Sequence, residues 1–347
     1  MNSPLRKIAI VIPAWQPDDR LVELTRSLAV LHFASIVIVN DGSGKDYEDV
    51  FDHARSTPSV VVLSHERNRG QGRAVKTALR FVADNLPDLA GAVTADADGQ
   101  HAVDDIVRVA QCLSQGRNRI VLGSRAFGAG VPFRSRFGNI LTQYVFAALS
   151  GFNISDTQSG LRGIPKQLIP EVLRVRGDRY EFATGLLAHF CNCGRPPLQV
   201  PIATIYIDRN RSSHFNPVRD SIRIYLLLIR CYASLFVPVC IDFAGFVLMY
   251  VASGSLAWAV LIGRIGAAAA LLLQRHFGYA PLGSSAGKRI VSLAISGIAA
   301  FAGIWFLAQH MHCNFVAAKI LLELVLWLAL IPAKARMRWW CAEEEDL

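Results

Sequence analysis

Four short apolar runs in the first hundred residues each stop at a polar, turn-forming cluster, and this repetition limits the fold more than any other feature. Ile8–Ile12 ends at Pro13-Ala14, and Ile36–Val39 ends at Asn40-Asp41-Gly42-Ser43-Gly44. Val60–Leu63 precedes Asn68-Arg69-Gly70-Gln71-Gly72, and Ala90–Thr94 leads into Asp96-Ala97-Asp98-Gly99-Gln100-His101. β-Branched runs of this length read as strands. Between them, Leu21, Leu24, Leu28 and Leu31 give residues 18–31 helical periodicity, and a second helix is expected from about Ala74 to Asn85. Strands alternating with helices predict an α/β fold with a mainly parallel sheet, whose ligands lie beyond the carboxyl ends of the strands. Pro13, Asp41, Asn68 and Asp96 all fall on that edge.

The fourth cluster carries the most chemistry. Carboxylates at i and i+2 of an extended segment point the same way, so Asp96 and Asp98 can share one hard cation and hold it against a phosphate. An acidic turn bent at Gly99 is the equally weighted alternative, and Asp41 within Asn-Asp-Gly-Ser reads first as a turn carboxylate. Gly70-Gln71-Gly72 lacks the Lys-Ser/Thr of a P-loop and does not match the dinucleotide fingerprint, so neither NTP hydrolysis nor NAD binding is supported.

Hydropathy divides the chain. Of 347 residues 52% are hydrophobic, too many for an ordinary soluble protein. Residues 1–210 are charged and globular in character, whereas residues 236–332 hold apolar segments at about 236–256, 257–274, 289–309 and 315–333. Lys and Arg precede the first span, occupy the loop with Arg275, Lys288 and Arg289, and follow the last at Lys334, Arg336 and Arg338. The links at Ser253-Gly254-Ser255 and His310-Met311-His312 have none, which predicts cytoplasmic termini. The apolar run after Lys7 is too short for a signal peptide, in keeping with a cytoplasmic first domain on a multi-pass protein of the inner (plasma) membrane.

Arg219, Arg223 and Arg230 fall within about 40° of one another on a helix, opposite an apolar surface. Pro217–Tyr232 is therefore expected to lie along the cytoplasmic interface, a packed linker helix being the alternative. The expected divisions are a 1–212 globular domain, a 213–235 interfacial region and a 236–340 transmembrane domain of about four helices. Asp242, Arg264, Lys319 and Glu323 lie inside spans, where charges pair or face the bundle, and Lys319 and Glu323 can pair at i, i+4. His310 and His312 read as interfacial because no third metal ligand is near. The seven cysteines are scattered, and Cys191-Asn192-Cys193 has the wrong spacing for a zinc knuckle, so they are expected to be reduced. The net charge of +9 is concentrated near the spans and the proposed phosphate site, which favours anionic lipid and substrate phosphates over nucleic acid.

Taken in order, Ile12-Pro13-Ala14, Val39-Asn40-Asp41-Gly42-Ser43, Asn68-Arg69-Gly70-Gln71-Gly72 with Ala74, Asp96 to His101, and Gly123-Ser124-Arg125 resemble glycosyltransferase family 2, with its GT-A fold. Ser155-Asp156-Thr157-Gln158-Ser159-Gly160-Leu161-Arg162 and Ser212 to Pro217 resemble further blocks of its dolichol-phosphate mannose synthase and polyprenyl-phosphate glycosyltransferase branch. The resemblance spans about residues 6–232. It implies Asp41 at the nucleoside, with Pro13, Ala14, Asn68, Gly72 and Asp96 around the donor. It also implies Asp96, Asp98 and Gln100 on Mg²⁺ or Mn²⁺. Asp98, Arg125 and Asp156 would be catalytic, and Arg125, Arg134, Arg136, Ser213 and His214 would meet the acceptor phosphate, without a choice between Arg134 and Arg136. Residues 236–340, with Val239 to Phe243, more weakly resemble the GtrA-like four-helix family, which implies dimers or tetramers. One departure stands out: relatives of this type carry an acidic residue a few positions after the one matching Glu181, where this chain reads Ala183-Thr184-Gly185.

The chemistry stands beside the resemblance. A sugar leaving a nucleoside diphosphate needs the developing charge neutralised, which a divalent ion supplies as a Lewis acid. A lipid monophosphate, with a second pKa of about 6, is largely ionised at neutral pH and needs no strong base. Arg125, Arg134 and Arg136 around the loop Ala126–Phe133 suit it. The expected activity is metal-dependent, inverting transfer of one sugar from a UDP-glucose- or GDP-mannose-type donor to polyprenyl (undecaprenyl or dolichyl) phosphate at the cytoplasmic face. The alternative is a non-catalytic lipid-linked sugar flippase or membrane scaffold with a degenerate GT-A domain, for which the Ala183–Gly185 departure speaks. A processive polysaccharide synthase would carry Gln-x-x-Arg-Trp, and Arg338-Trp339 lacks the preceding Gln.

Overall fold

The computed structural model describes residues 4–125, 133–204, 219–276, 297–307, 309 and 314–322. These form two compact units: one of residues 1–146, 153–191 and 195–228, the other of residues 147–152, 192–194 and 229 onward.

The first unit is built on seven strands: β1 (Ile8–Ala14), β2 (Ser35–Asn40), β3 (Val60–Ser64), β4 (Gly91–Thr94), β5 (Val121–Arg125), β6 (Arg162–Pro165) and β7 (Leu198–Ile202). Helices among the described residues include α1 (Arg20–Ala29), α2 (Glu48–Arg55), α3 (Gln71–Asn85), α4 (Val103–Ser114), α5 (Phe133–Ser150), α6 (Ile169–Arg174), α7 (Glu181–Asn192), α8 (Arg219–Ser253) and α9 (Leu256–His276), with further helical segments at 297–307 and 315–322. The strand order is β3-β2-β1-β4-β6-β5-β7. β3, β2, β1 and β4 are parallel, as strands joined by crossover helices must be when their ends share one edge. β6 runs antiparallel to both β4 and β5, which makes the sheet mainly rather than wholly parallel.

The alternation of β1 explains the layering. Ile8, Ile10 and Ile12 face a cluster with Leu21, Leu28 and Ile106 from α1 and α4, while Ala9 and Val11 face Ala74, Ala78, Leu186 and Phe190 from α3 and α7. Each buried isoleucine contributes about 1.5–3 kcal/mol relative to exposure. Apolar on both faces, β1 can only be a central strand, and its near-continuous hydrophobic run is the sequence mark of that position. Pro13 is accommodated because the pairing of β1 with β4 ends at Val11.

In the second unit, Phe246, Ala259, Val260, Ala300, Ile304 and Ala318 pack as one cluster. A Cβ on Gly245 would stand 3.3 Å from the Gly263 Cα, so small residues let α8 and α9 approach closely here. Lys319 Nζ donates to Asp242 Oδ2 at 2.7 Å, and Arg264 Nε lies 3.4 Å from the other oxygen of that carboxylate. Lys319 thus reaches another helix for a partner, while Glu323, His310 and His312 lie outside the described residues. Among the described residues one helical window, Leu256–Leu273, is by itself long and apolar enough to cross a bilayer. The Pro217–Tyr232 helix is the first part of α8, starting at Arg219. The described cysteines are free thiols.

Candidate active site

The carboxyl ends of β1, β2 and β4 collect the polar clusters, but the structure uses them differently. Asp41, just past β2, is 2% exposed. Its Oδ1 accepts from the Arg69 backbone N–H at 2.9 Å and its Oδ2 from that of Gly70 at 2.7 Å. His65 Nδ1 lies 2.6 Å from Oδ1, and His65 Nε2 lies 2.9 Å from the Thr77 hydroxyl. The Asp41 backbone N–H donates to the Ala14 carbonyl at 2.8 Å, tying the ends of β1 and β2 together. Asp41 therefore pins the 65–70 loop beside the sheet edge. Gly42 is obligatory here: its φ is +70° and a Cβ would lie 2.3 Å from the Arg67 carbonyl carbon. Asn68 sits in the pinned loop, its Oδ1 accepting from Arg179 at 3.4 Å, and Gly72 opens α3 where a Cβ would strike Phe182 at 2.5 Å.

Asp96 and Asp98 follow β4. Asp96 is gripped from two sides: Gln71 Nε2 donates to Oδ1 at 2.8 Å and His101 Nε2 lies 3.1 Å from Oδ2. Below it lies Gly160, where a Cβ would come within 2.3 Å of Oδ2, so the Ser159-Gly160-Leu161 backbone can only close on this carboxylate because residue 160 has no side chain. Burial pushes Asp96 up, yet the His101 hydrogen bond and the Arg125 and Arg162 guanidiniums outweigh it and hold the carboxyl below its usual value. Asp98 goes the other way. Burial, and then the charge of Asp96, push it up, with only the Gln100 backbone N–H, at 3.0 Å, and more distant cations opposing. Two partly enclosed carboxylates, one of them reluctant to ionise beside the other, form a donor set that a divalent cation fits, since the cation removes the repulsion that raises Asp98. Gln100 adjoins this pair through its backbone.

β5 delivers Arg125 to the same edge. Its Nε and Nη2 donate to Asp156 Oδ2 and Oδ1 at 2.6 and 3.2 Å, a two-pronged pair. Asp156 also accepts the Gln158 and Ser159 backbone N–H groups at 3.1 and 3.0 Å and is buried. It is thus an orienting group for Arg125 and for the loop that carries Gly160. Arg162, also buried, donates to the carbonyls of Thr157, Ser159 and Ala183, and burial lowers its guanidinium to about 10 against the pull of Asp156 and Asp96. Tyr180 is pushed beyond the usual tyrosine range by burial and by Asp96, Asp220 and Asp98, so its hydroxyl stays protonated near the two carboxylates.

The structure thus brings Pro13, Ala14, Asp41, Asn68, Gly72, Asp96, Asp98, Gln100, Arg125 and Asp156 to one edge of one unit. Arg134 and Arg136 fall in the first turn of α5, with their side chains outside the described set, and Ser213 and His214 lie outside the described residues. Sequence reasoning passed over Gln71, His101 and Tyr180, although Gln71 and His101 belong to the motifs it used. His65, the partner of Asp41, left no signal beyond its position just after β3.

A model of the family described as "Glycosyl transferase family 2" matches residues 9–173. The UDP-N-acetylglucosamine–dolichyl-phosphate N-acetylglucosaminyltransferase of Methanococcus voltae is 29% identical over 223 residues, covering 58% of this chain and 86% of the relative. The undecaprenyl-phosphate 4-deoxy-4-formamido-L-arabinose transferase of Pseudomonas fluorescens is 27% identical over 242 residues, covering 67% of this chain and 66% of the relative. Its Yersinia pestis counterpart is 25% identical, and the match spans 53% of that protein. Among solved structures, glucosyl-3-phosphoglycerate synthase from Mycobacterium tuberculosis, in complex with Mn²⁺, uridine diphosphate and glucosyl-3-phosphoglycerate, is similar at a TM-score of 0.50 and 19% identity. The match covers 66% of this chain and 80% of that one, a likeness of fold.

Proposed function

The chain belongs to glycosyltransferase family 2 and is a glycosyltransferase, and from that premise we propose that it transfers a single sugar, with inversion, from a nucleotide sugar to a polyprenyl phosphate at the cytoplasmic face of the membrane. The observation that carries this reading is the Asp96–Asp98 pair closing β4 beside the Arg125–Asp156 pair closing β5: a cation site next to an oriented guanidinium. The dolichyl-phosphate and undecaprenyl-phosphate transferases among its relatives support the acceptor class.

Asp96, Asp98 and Gln100 would hold Mg²⁺ or Mn²⁺, which supplies Lewis-acid stabilisation to the departing diphosphate. Gln71 and His101 fix the Asp96 carboxylate before substrate arrives, so no rotamer has to be found during the reaction. The pinned 65–70 loop, with Asn68, walls the donor side. Asp156 aims Arg125, which neutralises the acceptor phosphate as that oxygen nears the anomeric carbon. An already ionised phosphate monoester brings its own nucleophile, which agrees with a site whose buried carboxylate, Asp156, is fully engaged in holding other groups. Residues 236–340 would cross the membrane as a multi-pass domain, to which the apolar window Leu256–Leu273 lends support, and the start of α8, with Ile222, Leu226 and Ile229 exposed, would lie along the cytoplasmic interface.

The test is transfer of labelled sugar from a panel of UDP- and GDP-sugars into the organic phase, with the full chain, undecaprenyl phosphate and Mg²⁺ or Mn²⁺. Label in the lipid fraction, abolished by EDTA and by Asp98→Ala, is the expected result. No lipid product from any donor, with nucleotide binding intact, would overturn the reading in favour of a non-catalytic membrane role.

A further inference from the structure

The cations of α3 that the transfer chemistry leaves unused line a cavity of their own. Arg73, Lys76, Thr77 and Arg80 recur at helical spacing on the face of α3 not buried against the sheet, and the segment Leu173–Asp178, from the end of α6 into the loop before α7, forms the facing wall. The cavity has a volume of about 360 Å³, and Arg73, Lys76, Arg80, Arg174 and Arg176 line it with a single carboxylate, Asp178. That carboxylate is divided between Arg73 Nη2 at 3.1 Å and Lys76 Nζ at 3.5 Å. Among the described residues no carboxylate pairs with Arg80, Arg174 or Arg176.

This is more than a solvated basic surface. The Lys76 side chain is 11% exposed, and its ammonium donates to the Gly177 carbonyl at 2.7 Å and lies 4.9 Å from the centre of the Phe182 ring. Burial holds the amine below the ordinary lysine value, with Asp178 pulling the other way. Five cations around one small concavity repel one another and are relieved by an anion with several oxygens, for which guanidinium forks are the matching donors.

We propose that this cavity is a second anion site, which takes a phosphate or diphosphate group separately from the Asp96–Asp98 site. The group comes either from a free phosphate compound or from an anionic lipid headgroup. An occupant competes with Asp178 for Arg73 and Lys76. Asp178 in turn supports the donor loop: its carbonyl accepts the Arg73 backbone N–H at 2.9 Å and lies 2.4 Å from where a Gly70 Cβ would be, and its neighbour Arg179 donates to Asn68. Thr77, also lining the cavity, shares its hydroxyl with His65 and so with Asp41. Occupancy is thereby felt at the loop that walls the nucleotide.

The experiment uses the full chain in detergent with EDTA, so that no divalent ion recruits phosphate to the acidic site. Acylation of Lys76, mapped by mass spectrometry, is followed against inorganic pyrophosphate in one arm and short-chain phosphatidylglycerol in the other. Saturable protection is expected in at least one arm, weakened about ten-fold by Arg80→Ser/Arg176→Ser, two exposed residues outside the transfer site, with the ligand-free melting temperature unchanged. Protection by pyrophosphate alone identifies a free phosphate compound as the source, and protection by the lipid alone identifies a headgroup. Arg174→Ser is an independent variant should the double one fold poorly. Failure of both probes to protect Lys76, or equal protection of wild type and variants, would overturn the proposal.

Discussion

Asp41 and Asp98 occupy equivalent places, each just past the carboxyl end of a parallel strand and each inside a polar, glycine-bearing cluster, yet the fold treats them in opposite ways. Asp41 is buried among two backbone N–H groups and a histidine, so its charge is satisfied by its own chain. Asp98 keeps one backbone donor and faces a second carboxylate, and its pKa is raised by burial and by Asp96. A carboxylate surrounded by hydrogen-bond donors is suited to holding structure; one that has a single donor and faces another negative charge is suited to a cation, as the proposed function requires. Position at the binding edge alone therefore does not assign an aspartate's role, and variants of the two residues test whether the state of their partners does.

The largest effect should come from Asp98. Asp98→Ala is expected to lower sugar transfer to lipid at least about a thousandfold, roughly 4 kcal/mol of transition-state stabilisation, while nucleotide-free thermal stability is kept. Transfer within tenfold of wild type would end the contrast drawn here.

Asp41→Ala should act on the fold first. It leaves the Arg69 and Gly70 N–H groups and His65 without their acceptor in a buried place, at a cost of about 2–4 kcal/mol in chemical denaturation followed by near-ultraviolet circular dichroism. Unchanged stability with lost nucleotide binding would show instead that Asp41 contacts the nucleoside directly, as the family resemblance implies.

A third change probes the departure at Gly185. A Cβ there would lie 2.8 Å from Leu227 Cδ2, so the place of the absent acidic side chain is filled by α8. Gly185→Glu should destabilise the protein by about 1–3 kcal/mol through overpacking, and Leu227→Ala in the same chain should recover part of it. Thermal melts of the two variants decide this; a stable Gly185→Glu with increased transfer would mean that α8 yields and that a carboxylate serves the sugar.

The sheet edge was legible because β1 to β4 are written as apolar runs that end in turn chemistry, and hydrophobic periodicity survives in a bare sequence. β6 was not, since four residues, Arg162-Gly163-Ile164-Pro165, have no period to read and their antiparallel pairing depends on Gly91 admitting the Ile164 carbonyl, 2.3 Å from where a Cβ would be. The candidate site divides the same way. Residue types that bind cations stood out at Asp96 and Asp98, whereas the engagement of Asp156 by Arg125, Gln158 and Ser159, and the grip of Gln71 on Asp96 across 25 positions, are facts of tertiary geometry. Lys319 makes the same point in the second unit: the fold brings it Asp242 from 77 positions away, a contact that local spacing does not announce.

The smallest effect is the sharpest test of the contrast, because it predicts a gain. With the folded pKa of Asp98 raised above its unfolded value, the ionised carboxylate is less favourable in the fold than in the open chain, so its cost is present above the folded pKa and disappears as pH falls through it. In EDTA at neutral pH, Asp98→Asn should therefore melt slightly above wild type, by the equivalent of about 1 kcal/mol or less, with the difference shrinking toward pH of about 4. Saturating Mn²⁺ should reverse the order, since the cation stabilises the wild-type pair and finds one charge fewer in the variant. Asp41→Asn under the same conditions should melt below wild type with or without the ion, because its carboxylate is held by donors that an amide only partly satisfies. If both variants shift in the same direction in EDTA, Asp98 is held as Asp41 is, and the cation site must be sought elsewhere along the edge.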